Sequence, residues 1–387
     1  MSTTPLSVLD LIPRSSGTTT ADAIRNLVDL AQRAERFGYH RYWFAEHHLN
    51  PGVLGVSPAV SIALVGAATS TIRLVQLGHR QPLATVEEFG LLDAAYPGRL
   101  DLGLGRSIGR QKPENEPAVK AAVSAYAAQR GSGQHTVEQR ADNGLLLPKQ
   151  YDFTERLKTA GGKVAAFLDL LQQPGAYTPD YESQISDILD FLAGTYVSPA
   201  GAPIHANPGE GAPIQVWILG ASGGSSATVA GARGLRFVAG YHHSPSTVLD
   251  AVQAYRKAFV ASDVLSEPHV AVSADVVVAA SDEQATVLAA GYGLWVRGIR
   301  SGEGAIPFPA PEEVARHEWS DDDRELVRDR IETQLVGSPR TVADRLEQLR
   351  DATGADELAI TTITHGHADR VRSYELLAAE WKRRGNW

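Results

Sequence analysis

The sequence contains no cysteine among its 387 residues. Disulfides, thiolate nucleophiles and zinc sites with sulfur ligands are therefore excluded. It also lacks any uninterrupted apolar run of about 18 residues, the length that a membrane-spanning helix needs. Residues 1–5 show neither the basic flank nor the apolar segment of a signal peptide. We therefore expect a cytoplasmic protein that does not associate with membranes.

The chain also has no excess of positive charge, and its formal net charge is -9. This balance argues against a nucleic-acid backbone as the partner. Hydrophobic residues make up 43% of the chain, which is enough for a large core. The length alone would allow two or three domains, but α/β barrels of this size form single domains that carry insertions. We therefore predict one domain over residues 1–387.

Short apolar runs alternate with amphipathic stretches along most of the chain. Strands are predicted at 6–11, 41–45, 72–77, 99–106, 214–219, 236–239, 270–279 and 357–362. Helices are predicted at 21–37, 58–69, 85–95, from about 225, and at 246–260, 282–292, 321–334, 340–351 and 370–383, with an irregular charged segment before 320. Strands that alternate with helices indicate a parallel sheet with right-handed connections. Eight such strands predict an α/β fold of the (β/α)8 TIM-barrel type.

The alternation stops between the fourth and fifth predicted strands. Residues 110–212 contain no comparable strand, and Gly- and Pro-rich pieces separate helical stretches near 117–130, 155–172 and 180–193. This region is too long for an ordinary barrel loop. We predict a long, mainly helical insertion after strand 4.

Polar and ionisable residues follow the C-terminal ends of the predicted strands, where α/β barrels build their active sites. More than half of the twelve histidines lie there. The residues are Glu46, His47 and His48; Gly78, His79, Arg80 and Gln81; Arg106 and Ser107; Tyr241, His242 and His243; and Thr364, His365 and His367. We expect one polar pocket at the barrel mouth, with Tyr241, His242 and His243 in its substrate region.

The Gly/Ser-rich segment 220–226 joins a predicted strand to a predicted helix. Glycines allow a ligand to approach the backbone, and a helix N-terminus offers unpaired amides with a partial positive charge. The segment therefore has two interpretations, an anion site or a plain strand–helix turn. Arg106 favours the anion site, because an arginine at a neighbouring strand end can bind a phosphate with two hydrogen bonds. A surface salt bridge is the alternative role for Arg106.

Three interpretations are open for Glu46, His47 and His48. Neighbouring residues on a strand point to opposite faces, so His47 and His48 would not both reach one ion, which argues against a metal site. General acid/base chemistry suits histidine near neutral pH. A buried Glu–His pair that stabilises the barrel rim is equally compatible with the sequence, and the two histidines can divide these roles.

Taken together, these stretches resemble the bacterial luciferase-like flavin monooxygenases, in the single-chain branch often called luciferase-family oxidoreductases. The resemblance covers about 5–108, 213–280 and 335–382. The segments that carry it are residues 6–11, 31–48 with Phe-Ala-Glu-His-His, 97–106 with Gly-Leu-Gly-Arg, 219–223, and 356–380. The Ala-Glu-His-His strand followed by the Gly-Leu-Gly-Arg strand at this spacing is the specific part.

The resemblance implies a barrel that binds flavin at its C-terminal face. It implies reduced FMN, supplied in trans by a separate NAD(P)H-dependent flavin reductase, together with O2 and a small organic substrate. It implies that His47 is the acid/base residue beside the flavin. It also implies that Arg106, Ser222, Gly223 and Ser225 bind the flavin phosphate. Gly78 and His79 are expected to contact the cofactor, although the segment 78–82 differs from the family pattern.

Other functions remain compatible with the sequence. One is an oxidoreductase that uses the deazaflavin F420 on the same barrel, and another is a flavin-binding protein without turnover. A metal-dependent barrel hydrolase is a further alternative, although no metal ligands are predicted. Substrate choice is expected to depend on the insertion, and a homodimer is expected by analogy with the family.

Overall fold

A computed structural model describes residues 3–78, 81–106, 135–152, 170–171, 173 and 176–387. Its strands are β1 (Leu6–Asp10), β2 (Arg41–Ala45), β3 (Arg73–Gly78), β4 (Leu100–Leu104), β5 (Gln139–Arg140), β6 (Leu146–Leu147), β7 (Gln215–Gly220), β8 (Arg236–Gly240), β9 (Val270–Val278), β10 (Leu335–Gly337) and β11 (Glu357–Thr361). Eight of them, all parallel, pair in the order β1-β2-β3-β4-β7-β8-β9-β11, and β11 pairs back with β1. The sheet is therefore a closed eight-stranded barrel, which confirms the predicted fold class.

The helices lie between these strands. They are α1 (Thr20–Phe37), α2 (Pro58–Gly66), α3 (Pro82–Ala95), α4 (Tyr181–Ala193), α5 (Ser225–Ala232), α6 (Val248–Ala258), α7 (Asp282–Ala289), α8 (Tyr292–Arg300), α9 (Pro311–Arg316), α10 (Asp321–Thr333), α11 (Pro339–Thr353) and α12 (His367–Arg383). Local sequence signals define where several of these helices begin and end. Thr19 and Asp22 form a reciprocal capping box at the start of α1, and Gly38 ends the helix with a φ of 91°.

The segment before residue 320 differs from the prediction, because it contains α8 and α9 rather than irregular structure. Helix α8 buries Tyr292, Trp295 and Val296 on one face and carries Arg297 on another. This helical spacing is present in the sequence, but Gly291, Gly293 and Gly298 interrupt it. Glycine disfavours a helix locally, so the buried aromatic face determines the structure here.

The insertion is described only in part. The helix predicted at 180–193 is confirmed as α4. The helix predicted at 117–130 and nearly all of the one predicted at 155–172 lie outside the described residues. The antiparallel ribbon β5–β6 was not predicted, because two-residue strands are too short to show a period in the sequence. The limits of the insertion at 110–212 and the single domain over 1–387 remain predictions.

Side chains on the barrel strands alternate between the outer layer, which packs against the helices, and the barrel interior. Tyr42 and Phe44 point outward and pack in the layer between strands and helices. Trp43 points inward and meets Trp217 edge to face, with ring centroids 5.3 Å apart. This alternation follows from the two-residue period of a strand. It explains why the run Arg41–Ala45 is buried along its whole length.

The N-terminal end of the barrel interior is closed by charged side chains. Arg41 donates to Asp101 at 2.8 Å and also pairs with Glu357. Asp101 accepts further hydrogen bonds from Arg73 at 2.9 Å. The carboxylates of Asp101 and Glu357 are almost fully buried. Buried charges of this kind persist only when they are paired, so this ion network couples four strand starts and leaves the opposite end of the barrel for ligands.

No helix within the described residues is long and apolar enough to cross a membrane.

Candidate active site

A cavity of about 350 Å³ lies at the C-terminal end of the barrel. Its lining includes Leu9, Trp43, Gly105, Arg106, Leu219, Gly220, Ala221, Ser222, Gly224, Ser225, Ser226, Val238, Gly240, His242, His243, Ser273 and Ala359. Apolar members come from strand positions inside the barrel, and most polar ones follow strand ends, while Ser273 lies within strand β9. This arrangement of apolar walls with a few polar groups is typical of small-molecule sites.

The polar end of the cavity joins strand β4 to helix α5. Arg106 follows β4, and its Nη1 donates to the hydroxyl of Ser225 at 2.8 Å. Ser225 is the first residue of α5, so a cation lies directly beside a helix N-terminus. Unpaired amides at that terminus and the guanidinium both favour an anion. The structure thus brings together Arg106, Ser222 and Ser225, as the sequence predicted.

Glycines shape the rest of this loop. Gly224 is the N-cap of α5. At Gly105, a Cβ would meet no described atom within 4 Å, so a side chain there would extend into open space beside the cavity. Gly223 does not line the cavity; its Cα faces helix α6, and a Cβ would lie 3.2 Å from the carbonyl oxygen of Asp250. Any contribution of Gly223 to anion binding would therefore come from its backbone amide.

The insertion reaches this end of the cavity through Tyr181, at the start of α4. Its hydroxyl donates to the carbonyl oxygen of Leu104 at 3.1 Å. Burial raises the pKa of Tyr181, although Ser226 and Arg106 oppose the shift. The phenol therefore stays protonated and acts as a hydrogen-bond donor. Sequence reasoning missed Tyr181, since nothing local links residue 181 to strand β4.

On the opposite wall, His242 and Ser273 form one hydrogen-bonded unit. The Nδ1 of His242 lies 2.5 Å from the hydroxyl oxygen of Ser273, and both residues line the cavity. Burial lowers the pKa of His242 well below the usual histidine value, and His243, Arg330 and His47 lower it further. The imidazole is therefore neutral at physiological pH. Of the three residues predicted for the substrate region, His242 is the one most firmly fixed in the cavity wall.

His243 also lines the cavity but is exposed. Its ring packs over Gly240, where a Cβ would come within 2.0 Å of the imidazole. Tyr241 lies elsewhere: its side chain is buried in the outer core, and its hydroxyl donates to the carbonyl oxygen of Leu146 on β6 at 2.8 Å. Tyr241 therefore anchors the insertion ribbon in this structure and is absent from the cavity lining.

His47 lies at the open mouth of the barrel and is exposed. It does not line the cavity, although its charge would act on His242. Desolvation of the ring by the surrounding chain lowers the pKa of His47, and the neighbouring His48 adds to the shift. The Nε2 of His48 pairs with the carboxylate of Glu46 at 2.9 Å. Glu46 and His48 thus pair with each other, and the His47 ring lies at the mouth of the barrel.

The other predicted residues are less close to the cavity. Gly78 ends strand β3 and pairs with Leu104, outside the lining. His79 lies outside the described residues. His365 and His367 turn toward the first βα unit, where they contact Ser16 and Asp29. Within the part of the chain that the structure describes, no three His, Asp or Glu side chains form a group that could hold a metal ion.

A buried polar cluster beside the cavity was also missed. Tyr292 and Arg330 both donate to the carboxylate of Asp275, and Arg330 lies 3.0 Å from it. Burial raises the pKa of Asp275, although Arg330 and Tyr292 act in the opposite direction. This cluster places a permanent cation near His242. Its members come from three distant parts of the chain, so sequence spacing offered no signal.

The sequence matches the family model described as luciferase-like monooxygenase over residues 4–121 and 130–357. The chain is 33% identical to the uncharacterized protein YvbT of Bacillus subtilis, covering 98% of each chain. It is 28% identical to a luciferase-like monooxygenase of Escherichia coli K12, covering 97% of this chain and 96% of that protein.

Solved structures share the fold. The structure of apo-MsnO8 superposes with a TM-score of 0.72 at 26% identity over 98% of both chains. Two other structures each superpose on this chain with a TM-score of 0.55, at 17% identity and over 99% of both chains. One is the oxygenating constituent of 3,6-diketocamphane monooxygenase from Pseudomonas putida, in complex with FMN. The other is the coenzyme F420 dependent tetrahydromethanopterin reductase from Methanopyrus kandleri. With the family model matching most of its length, the chain belongs to the luciferase-like monooxygenase family.

Proposed function

We propose that this protein is a monooxygenase of the two-component type, which uses reduced FMN and O2 to oxygenate a small organic substrate. The observation that carries this proposal is the cation and helix N-terminus at one end of the cavity. Arg106 and Ser225 meet there at 2.8 Å. A phosphate-bearing cofactor matches this end, because both groups favour an anion.

The remaining lining fits a flavin as well. Leu9, Trp43, Val238 and Ala359 supply apolar walls beyond the phosphate end. A flat, largely apolar ring system would pack against such walls and displace water from them. Ser222, Ser225 and Ser226 line the polar end. Arg106, Ser222 and Ser225 would hold the phosphate, with Gly223 contributing through its backbone amide.

Reduced FMN would supply two electrons for the activation of O2 at this site. Overall, one oxygen atom enters the substrate and the other leaves as water, while the flavin is oxidised. This balance requires a group in the site that accepts and returns a proton. We assign His47 to that role, because its imidazole lies at the mouth with a lowered pKa and is neutral near pH 7. Glu46 and His48 would hold the rim in place.

The partners follow from this chemistry. A separate NAD(P)H-dependent flavin reductase would deliver the reduced FMN, since that mode of supply is part of the two-component type. Substrate choice would depend on the insertion, because its residue Tyr181 contacts Leu104 next to Gly105 and Arg106 of the cavity lining. We also propose a homodimer, formed through exposed apolar side chains on α2 and α3, and a cytoplasmic location.

The test is turnover with ¹⁸O2. Purified protein, a flavin reductase, NADH and FMN are incubated with a panel of small thioethers, ketones and aldehydes, and products are analysed by mass spectrometry. We expect incorporation of one ¹⁸O atom into at least one product, and loss of that product with His47→Ala. FMN binding without ¹⁸O incorporation across the panel would favour a flavin-binding protein without turnover.

The F420-dependent alternative is supported by the fold shared with F420-dependent enzymes, among them the tetrahydromethanopterin reductase. That relationship is at 17% identity and concerns the fold alone. Titration of the same protein with reduced FMN and with F420 separates the two cofactors. Preferential binding of F420 would replace the monooxygenase proposal with a dehydrogenase.

A further inference from the structure

We propose that His242 is a second catalytic residue of this site and that Ser273 positions it. The proposal rests on the proposed flavin-dependent function, which supplies the cofactor and O2. His242 would accept one proton through Nε2 and return it during the reaction. Ser273 would determine which ring nitrogen is available by binding the other one.

The geometry begins with the register of two barrel strands. Gly240, the last residue of β8, lies opposite Ser273 of β9. The amide of His242 donates to the carbonyl oxygen of Ser273 at 3.1 Å, so the backbone turns back over that serine. This brings the Nδ1 of His242 to 2.5 Å from the Ser273 hydroxyl oxygen. Backbone and side-chain contacts to the same residue therefore fix the ring.

The tautomer follows from the number of hydrogen bonds. The hydroxyl of Ser273 can donate to the carbonyl oxygen of Ala239 at 3.4 Å. If it does, the Nδ1 of His242 must be the donor to the Ser273 oxygen, and two hydrogen bonds form in series. If the hydroxyl instead donates to Nδ1, the bond to Ala239 is lost. In that alternative, the Ser273 hydroxyl and the Nδ1 of His243, which lies 3.5 Å away, would have to share the single lone pair of the His242 Nδ1. The series through Ser273 avoids this competition, so it places the imidazole proton on Nδ1 and leaves Nε2 as an acceptor.

Nε2 lies on the edge of the ring opposite Ser273 and has no hydrogen-bond partner among the described residues. His242 itself lines the cavity. A polar atom in a cavity wall needs a partner from the ligand or from water. An unprotonated nitrogen can therefore accept a proton from a bound ligand.

The groups that face this imidazole are His243, Arg330 and His47, and each is cationic or can become so. Together with burial they keep the free imidazole unprotonated at neutral pH. Reduced flavin, when bound, would supply the two electrons that reduce O2 and the proton that is transferred. In the proposed step, Nε2 of His242 would take up this proton and form an N–H bond. The imidazolium would then give the proton to the oxygen atom that leaves as water, which regenerates the neutral His242.

The test combines NMR of the flavin-free protein with kinetics. Protein carrying ¹⁵N-labelled histidine gives the tautomer of each imidazole from its ring-nitrogen shifts, and His242→Gln assigns the His242 signals. We expect a neutral ring with its proton on Nδ1 in the wild type and in Ser273→Thr, which keeps the hydroxyl. Ser273→Ala should lose this preference. Circular dichroism checks that each variant is folded.

In turnover assays, His242→Gln should lower kcat by about 100-fold, the usual size of a general acid/base contribution. Ser273→Ala should lower kcat to a smaller extent, Ser273→Thr should restore it, and the KM for reduced FMN should stay near the wild-type value. His205→Gln is the matched control, since His205 is exposed and pairs with Glu210 in the insertion. Its kcat should equal that of the wild type.

Two results would overturn the proposal. One is an Nε2-protonated His242 whose tautomer does not respond to Ser273→Ala, and the other is wild-type kcat in His242→Gln. The NMR experiment requires no flavin. Absence of turnover in the wild type would therefore defeat the proposed function and the catalytic role of His242, while the NMR result would still decide whether Ser273 positions the ring.

Discussion

Arg106 and Ser225 are 119 residues apart in the sequence, yet the guanidinium of one donates to the hydroxyl of the other at 2.8 Å. The pair joins the end of β4 to the first turn of α5. It combines a permanent cation with the amides of a helix N-terminus, the two features on which the proposed phosphate site rests.

Arg106→Ala should weaken FMN binding much more than riboflavin binding. A hydrogen bond to a charged group contributes about 1.5–3 kcal/mol, which corresponds to roughly 10- to 100-fold in the dissociation constant. Riboflavin has no phosphate and serves as the matched ligand. Flavin fluorescence titration measures both constants. An equal loss for the two flavins would show that Arg106 does not bind the phosphate.

His47→Gln should abolish most turnover while leaving the FMN dissociation constant near the wild-type value. The ring lies at the mouth and outside the lining of the cavity, so its removal changes proton transfer rather than cofactor packing. General acid/base catalysis contributes about 10²- to 10⁴-fold in rate. Stopped-flow and fluorescence experiments measure the two quantities separately. His48→Gln, which alters the pair with Glu46, is the neighbouring comparison and should reduce stability more than kcat.

The folded protein should lose stability as the pH falls below about 6.5, the ordinary pKa of an unfolded histidine. Burial lowers the pKa of His242 in the folded state. The unfolded state therefore binds more protons in this range, and the free energy of unfolding rises with pH until the unfolded histidine is neutral. Urea unfolding at several pH values measures this slope. His242→Gln should make it shallower, and an unchanged slope would contradict the lowered pKa.

Asp101→Asn should destabilise the fold strongly without affecting FMN contacts directly. Asp101 is fully buried and pairs with Arg41 and Arg73 at the barrel floor. Removal of one partner of a buried ion pair costs about 3–5 kcal/mol, because the remaining charge is left unpaired. The control is Arg25→Ala, which breaks the exposed pair with Asp22 and should cost no more than about 1 kcal/mol. Urea denaturation distinguishes these values.

The proposed homodimer makes a further prediction. Val60 and Leu64 lie one turn apart on α2 and are 59% and 43% exposed, and Leu91 on α3 is 66% exposed. Exposed apolar side chains on neighbouring helices are typical of subunit contacts. Val60→Glu combined with Leu64→Glu should produce monomers in light scattering after gel filtration. Val287→Glu, at an exposed valine on α7, is the control, and a monomeric wild type would refute the dimer.

Much of the barrel could be predicted from the sequence because its signals are local. Residues 42–45 form a short apolar run after Arg41, and Gly38 ends the preceding helix with a left-handed conformation that glycine adopts easily. The meeting of Arg106 with the Gly/Ser loop was also predictable, since each follows a strand. Parallel strands bring such ends together at one face of the barrel.

The cavity wall formed by His242 and Ser273 depends on contacts that no local sequence pattern encodes. Ser273 lies inside the buried strand Val270–Val278, where its hydroxyl looks like one polar residue in an apolar run. Only the register that aligns it with Gly240 reveals its contact with His242. Tyr181 and Arg330 likewise reach the site from helices far along the chain. The sequence also groups Tyr241 with His242 in one substrate region. Neighbouring residues after a strand face different sides, however, and of these two the structure places only His242 in the cavity lining.

The most direct test of the account is an anaerobic equilibrium titration of the purified protein with reduced FMN and, in parallel, with reduced F420. The proposed function predicts saturable binding of reduced FMN at micromolar concentrations, with F420 binding at least about tenfold weaker. Tight binding of F420 together with no measurable binding of reduced FMN would contradict the proposed function.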